Sequence, residues 1–455
     1  MTRLASVALL VLALLAGTAA AAPPWSPPQS VSSASLFVDA PDVVVAADGR
    51  AIATWRWSGV KPPQGEAPGG TRLAVREPGA LDFGPERSAP RFVTPLIAYG
   101  LDRVVGLDLR RRSGGRVSLR ARFGSSAGTF GTPRTISTYT DAGGPPSLAG
   151  PDGSLVAWIA SSSNGRRIVR AAVKSRGRFR NPTTLRGRGR ANDVVAGEAQ
   201  GVKFVAWERG GVVEARVRRT GRRWGSVQRL GKAEPSATTF AAAGSGGRGY
   251  VAWLAQQAES AFIRTAVLPA SGTRFRKATP MTSCPPSEPC FDETVLHAAP
   301  VEGQALRLVP LPDRDALLAW SRRFISPPVW RVRMALTRGE TNFTPQFDVS
   351  PITESAVLSD VASGAPNGAV MFAWSRLDAV GELGDRIRAR IRTPQGGFGD
   401  PEDVSDLDRA RLPAVAYDAR SNRWTSVWSQ RIGPDGPGVP LEQITTYLRS
   451  STRPG

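Results

Sequence analysis

The chain has 455 residues and a formal charge of +21, with 41% hydrophobic and 21% charged residues, a balance that sustains a buried core and excludes wholesale disorder. A single histidine, His297, and two cysteines exclude a His-rich metal site, a thiolate zinc cluster and a disulfide-dense scaffold. The sequence therefore calls for no cofactor and no metal.

Residues 1–22 read as a secretory leader: Arg3 supplies a positive start, Val7 to Leu15 an apolar run, and Gly17 to Ala22 the small residues of a cleavage site. The apolar run is too short to span a bilayer, and no cysteine follows it to carry a lipid. The expectation is an exported, soluble protein with one domain over residues 23–449 and a short tail at 450–455. Just past the leader comes Trp25-Ser26-Pro27-Pro28-Gln29-Ser30-Val31-Ser32, to which the repeat described next gives a meaning.

A short strand ending in Trp recurs along the chain. It appears as Ala51-Ile52-Ala53-Thr54-Trp55, Leu155-Val156-Ala157-Trp158, Phe204-Val205-Ala206-Trp207 and Tyr250-Val251-Ala252-Trp253, then as Leu317-Leu318-Ala319-Trp320, Met371-Phe372-Ala373-Trp374 and Thr425-Ser426-Val427-Trp428. A degenerate copy, Val104-Val105-Gly106-Leu107, stands between the first two. Successive copies lie 52, 51, 49, 46, 67, 54 and 54 residues apart. Each has an upstream small-residue strand and a turn such as Asp48-Gly49 or Pro151-Asp152-Gly153, where Gly supplies the positive φ of a tight hairpin. Downstream come an Arg/apolar strand, such as Arg167 to Val173 or Arg386 to Ile391, and an aromatic-Gly-Pro piece, such as Phe130 to Pro133 or Phe398 to Pro401. Four strands per roughly 50 residues is a β-propeller period; a helical solenoid would show a 3.6-residue period. The fold class is all-β, one propeller of eight four-stranded blades, or seven if the degenerate copy is not a blade. The last copy, from about Arg411 to Arg449, holds three strands, and the segment 25–32 resembles the missing fourth, so the N-terminal strand completes the last blade.

The seven recurring tryptophans are assigned to packing, since each can bury on the order of 200 Å² between blades. The charge is uneven: residues 101–235 hold 27 basic and 9 acidic side chains, which points to a polyanionic partner. Candidate ligand-binding arginines are Arg110, Arg111 and Arg112 beyond the degenerate strand, and Arg186, Arg188 and Arg190 in a Gly-rich link between copies. Arginines at Arg56, Arg209, Arg322, Arg323, Arg376 and Arg431 follow the same strand; for these, stacking on Trp or pairing with Asp and Glu is the favoured reading. The elaborated segments, Gly59 to Gly70, Ser283 to Pro300 and Ile432 to Gln443, belong mostly to the face that carries the blade-to-blade connections. Within the second, Cys284 and Cys290 are expected to form a small disulfide loop, with His297 nearby. Small apolar inner strands such as Val45-Ala46, Val195-Ala196, Val361-Ala362 and Val415-Ala416 predict a crowded centre with little chemistry, leaving the rim to carry function.

Over residues 25–449 this pattern resembles the exported bacterial propellers of the broad sialidase-type group, in architecture. That group's Ser-x-Asp-x-Gly-x-Thr-Trp turns are not matched by Ala46-Ala47-Asp48-Gly49 or Gly150-Pro151-Asp152-Gly153, and no catalytic residue is carried over. The resulting expectation is a monomeric, non-enzymatic binding or scaffold protein that recognises an anionic glycan, a cell-envelope polymer or a protein. The alternative is a glycan-active, sialidase-like hydrolase with a divergent carboxylate pair. Nucleic acid ranks last, because no base-stacking motif accompanies the charge.

Overall fold

The computed structural model describes residues 25–455 apart from 36, 59–68, 140–143, 162–165, 187–190, 234–239, 258–259, 281–305, 313–314, 324–328, 338–342, 365–366, 378–382, 407–408 and 434–444. Eight four-stranded antiparallel sheets stand radially around an axis, and the one helical feature among the described residues is a 3-10 turn at Ser113–Gly115. The inner strands are Phe37–Val45, Ile97–Tyr99, Ser147–Ala149, Ala191–Ala199, Phe240–Ser245, Arg307–Pro310, Ala356–Gly364 and Ala410–Asp418, one for each of blades 1 to 8. The degenerate copy is a full blade, so the count is eight.

The second strand of each blade is covered on both faces by its neighbours, which is why it reads as an unbroken apolar run such as Leu155–Ser161. Each repeat Trp is buried and wedges against the preceding blade. Trp207 packs with Ala149, Leu155 and Ala157 of blade 3, Trp374 with Leu317 and Ala319 of blade 6, and Trp55 with Val427 and Leu448 of blade 8. Several indole N–H groups find acceptors: Trp207 Nε1 donates to Glu214 and Trp374 Nε1 to Glu354, both at 2.9 Å.

Between blades 1 and 2 there is no such Trp, and two phenylalanines replace it. Phe92 and Phe130 lie with ring centroids 5.0 Å apart beside Leu73, Leu96 and Val104. A Cβ on Gly106 would approach both Phe92 and Leu96 to 2.6 Å, so the Ala that precedes Trp in five of the other copies does not fit there unless these side chains shift. The degenerate sequence records a different wedge, with Leu107 fully buried in the Trp position.

The ring closes through the eighth sheet, whose order places Gln29–Ser30 beside Thr445–Pro454, then Arg423–Ile432 and Ala410–Asp418. Gln29 pairs with Ser450 and Ser30 with Arg449; Val31 N–H donates to Leu448 O at 2.7 Å and Ser26 N–H to Thr452 O at 2.8 Å. The C-terminal boundary moves from the expected 449. Residues 450–454 continue the third strand of this blade, because Arg423–Ile432 offers it a partner at every position down to Arg423, which faces Pro454.

Deleting residues 25–32 is expected to lower Tm and cause concentration-dependent aggregation, read by light scattering, because it bares the edge of Thr445–Pro454. Unchanged Tm and scattering would show that the seam contributes nothing. Trp428→Ala should cost about 3–5 kcal/mol in denaturant unfolding.

Candidate functional site

The inner strand of a radial sheet has one edge paired and the other turned to the axis, where its N–H groups need acceptors. Side chains of the neighbouring blade supply several. Asp42 Oδ2 accepts from Leu96 N–H at 3.2 Å, Ser147 Oγ from Ala196 N–H at 3.0 Å, and Asp360 Oδ2 from Val415 N–H at 3.0 Å.

These residues share one rung of the repeat. Asp42 faces Thr54, Arg307 faces Ala319, Asp360 faces Ala373 and Ala414 faces Val427, each the residue just before the repeat Trp. Of that rung, blades 1, 6 and 7 carry Asp42, Arg307 and Asp360, while Ser147, Val195, Ala241 and Ala414 stand in other blades. The charges gather on one arc around a cavity of about 750 Å³, which is bounded also by Thr54, Thr71, Phe92, Leu412 and Pro413. The expected crowded, apolar centre is thereby corrected. The small residues, such as Val361 and Val415, are indeed buried in the packing between blades, but the positions immediately upstream line a cavity whose largely apolar wall carries charged groups.

β-Bulges open that wall. The register slips between Asp39 and Asp42, between Leu358 and Asp360, and between Arg411 and Ala414. Two of these bulges hold a non-glycine residue at positive φ directly before a proline, Ala40 at 47° before Pro41 and Leu412 at 54° before Pro413. Such a conformation costs on the order of 1–3 kcal/mol, and both strained residues line the cavity.

The electrostatics are unusual at the acid pair. Asp42 is pushed up to about 6 by burial first and then by the charge of Asp360, against the N–H groups of Leu96 and Val43 and the more distant Arg307. Asp360 is also raised by burial, and is opposed by Arg307, whose Nε donates to Oδ1 at 3.3 Å, and by backbone N–H groups. On blade 4, Asp193 is likewise raised to about 6 by burial, with Glu208 adding to it. Among the described residues no set of three His, Cys, Asp or Glu converges as metal ligands.

The arginines chosen from sequence divide. Arg110, Arg111 and Arg112 are exposed at the outer end of the second strand of blade 2, Arg103–Arg111, and the following turn adds exposed Arg116. None of the four makes an ion pair among the described residues. This turn lies at the same end of the ring as the cavity, the end where inner strands begin. Arg186 instead sits 3.6 Å from buried Glu214, which Arg209 approaches to 3.5 Å, so its charge is shared with the interior of blade 4. Arg56 pairs with Asp39 at 2.6 Å. Arg188, Arg190, Cys284, Cys290 and His297 lie outside the described residues, as do residues 1–24 and most of the three elaborated segments.

Sequence reasoning missed Asp42, Arg307 and Asp360. The signal was present in Asp42-Val43-Val44 and Asp360-Val361-Ala362, where a carboxylate directly precedes the small apolar residues of the inner strand, and in Pro41 and Pro413, which mark bulges within strands.

The architecture defines the class: an eight-bladed β-propeller. No family model and no curated protein matches the chain. Solved structures similar to it include the BP39L lectin from Burkholderia pseudomallei, at 13% identity over 80% of this chain and 98% of that one, with TM-score 0.48. Others are the β-propeller domain of the Trilobed protease from Pyrococcus furiosus (7%, 83% and 99%, TM-score 0.43) and the α-L-arabinofuranosidase Arb93A from Fusarium graminearum (8%, 95% and 96%, TM-score 0.39). At this distance the likenesses assign no function.

The raised carboxylate of Asp42 has a definite sign for stability. Between the ordinary value of 3.8 and about 6, the folded protein holds a proton that the unfolded chain has released, so this group's contribution falls as pH rises through that window. Asp42→Asn keeps an oxygen for Leu96 N–H without the charge. It should raise Tm at pH 7.5 by roughly 2–4 °C and flatten the Tm profile between pH 4 and 6. A lower Tm at pH 7.5 would overturn the assignment.

Proposed function

We propose that the protein is an exported, non-enzymatic propeller that binds an anionic polysaccharide or envelope polymer on the face bearing the blade 2 turn. One observation carries this: Arg110, Arg111, Arg112 and Arg116 stand exposed within seven residues, without carboxylate partners among the described residues. Strand arginines of the same blade are used internally, with Arg120 and Arg122 both on Asp108 at 2.5 Å. Guanidinium groups left in water on a short turn are placed to fork onto carboxylate, sulfate or phosphate. The basic excess of residues 101–235 adds steering toward such a partner. The leader-like residues 1–22 support export, and no helix among the described residues is long and apolar enough to cross a membrane.

The test is binding to immobilised heparin and alginate, with dextran as the neutral match, at 50 and 300 mM NaCl. Both polyanions should bind, weaken at the higher salt, and lose at least tenfold in affinity in the triple variant R110E/R111E/R112E. Equal capture on dextran, or binding insensitive to salt, would overturn the reading.

A second reading, a glycan-active hydrolase, is favoured by one observation, the carboxylates of Asp42 and Asp360 on one cavity wall. Turnover of aryl glycosides that Asp360→Asn abolishes would establish it. No turnover across neutral and acidic glycosides would dismiss it.

A further inference from the structure

We propose that the central cavity is a binding site for a small molecule bearing a protonated amine, with Asp42 as its counter-ion. This site is separate from the arginine turn and does not depend on the reading given for it. The volume of about 750 Å³ is that of a small-ligand site.

Its wall holds one acid without a cation. Asp360 has Arg307, and the wall's Arg56 is taken by Asp39, but Asp42 makes no ion pair among the described residues: its donors are the N–H groups of Leu96, at 3.2 Å, and Val43, and Arg307 acts on it only from a distance. A desolvated carboxylate is costly unless matched by an opposite charge or several donors. The proton affinity of Asp42, raised to about 6, expresses the same deficit, and an ammonium group would supply what the proton otherwise does.

A second group points the same way. Thr71 is buried, lines the cavity, and its Oγ1 has no hydrogen-bond partner among the described residues. Asp42 faces Thr54, and Thr54 faces Leu73. Thr71 is two residues from Leu73 and so lies on the same face of blade 1 as Asp42. A carboxylate and, two strands away on the same face, an unpaired hydroxyl are two separate acceptors, suited to a ligand that carries a donor at each end and nothing that accepts. The other charged groups around the cavity come from every side. Asp360 and Arg307 are contributed by blades 7 and 6, Arg91 by the connection to blade 2, and Arg56 by blade 1 itself, while blade 8 presents Leu412, Pro413 and Ala414.

Isothermal titration with 1,5-diaminopentane, and with 1,5-pentanediol as the uncharged match, tests the site. The diamine should bind at pH 8, and at least tenfold more weakly at pH 5, where Asp42 holds its proton. Near pH 6 the measured enthalpy should depend on the buffer, because binding releases that proton. The diol should not bind. Asp42→Asn should lose at least tenfold in affinity while its circular dichroism and Tm show a folded protein, and Thr71→Val should lose about threefold or more. Absence of diamine binding at millimolar concentration at pH 8, equal binding of the diol, or unchanged binding by Asp42→Asn would each overturn the proposal.

Discussion

A ring of radial sheets must join its two chain ends, because every blade buries its faces only against neighbours on both sides. Here that constraint is met by one strip of backbone hydrogen bonds, in which Gln29 and Ser30 pair with Ser450 and Arg449. Without the strip, blade 8 would lack its outer strand and leave an open edge, and the cluster around Trp55 would lose Val31. Closure is reinforced on the opposite face. Arg420 Nη1 donates to Asp48 O at 2.9 Å, and Ser126 Oγ to Asp48 Oδ2 at 2.5 Å, which ties blades 8, 1 and 2 together. Hydrogen bonds from Ser126 and Arg50 hold Asp48 below the usual carboxylate range even though burial opposes them.

Closing the ring creates a second problem at its centre. Eight inner strands turn unpaired edges toward one axis, and their N–H groups must be satisfied without filling the space with water-seeking side chains. Short acceptors reaching across from the adjacent blade solve this, and at two places the acceptor is an aspartate. A carboxylate used in this way is drawn out of water, and two of them share a cavity, so the backbone requirement produces groups with altered proton affinity. The bulges at Ala40-Pro41 and Leu412-Pro413 are part of the same local solution, since proline has no N–H to satisfy on an exposed edge.

Charge is sorted by position in the blade. Arginines within strands find acids or carbonyls, as Arg388 does with Glu354 at 2.6 Å and Arg390 with Val349 O at 2.8 Å, and contribute to the structure between blades. At the tip of the hairpin that follows the second strand of blade 2, Arg110, Arg111, Arg112 and Arg116 meet no acid among the described residues and stay exposed. Sequence composition alone does not separate the two sorts. Arg186 and Arg110 look equivalent in the chain, yet one lies against Glu214 and the other meets no acid among the described residues.

Much of the fold was legible before any coordinates. The recurring Ala-Trp endings, the Asp-Gly hairpins and the match of residues 25–32 to the aromatic-Pro strand identify the blades and the seam, because each depends on local propensity and on a spacing that every copy repeats. The degenerate copy was legible as a blade but not in its reason, since Phe92 of the pair that replaces Trp comes from the connection into blade 2 and Phe130 from the turn ahead of its outer strand. The cavity was not legible. Asp42, Arg307 and Asp360 are separated by more than 300 residues end to end, and become neighbours only because their blades lie on one arc of a closed circle. Repetition along the chain determined the architecture by itself, since the strands of seven blades, and three strands of the eighth, are written in consecutive residues. Which unlike side chains of the common rung meet across the axis, and with what charge left unmatched, was decided by the circle, because that proximity is set by angle around the ring and not by distance along the chain.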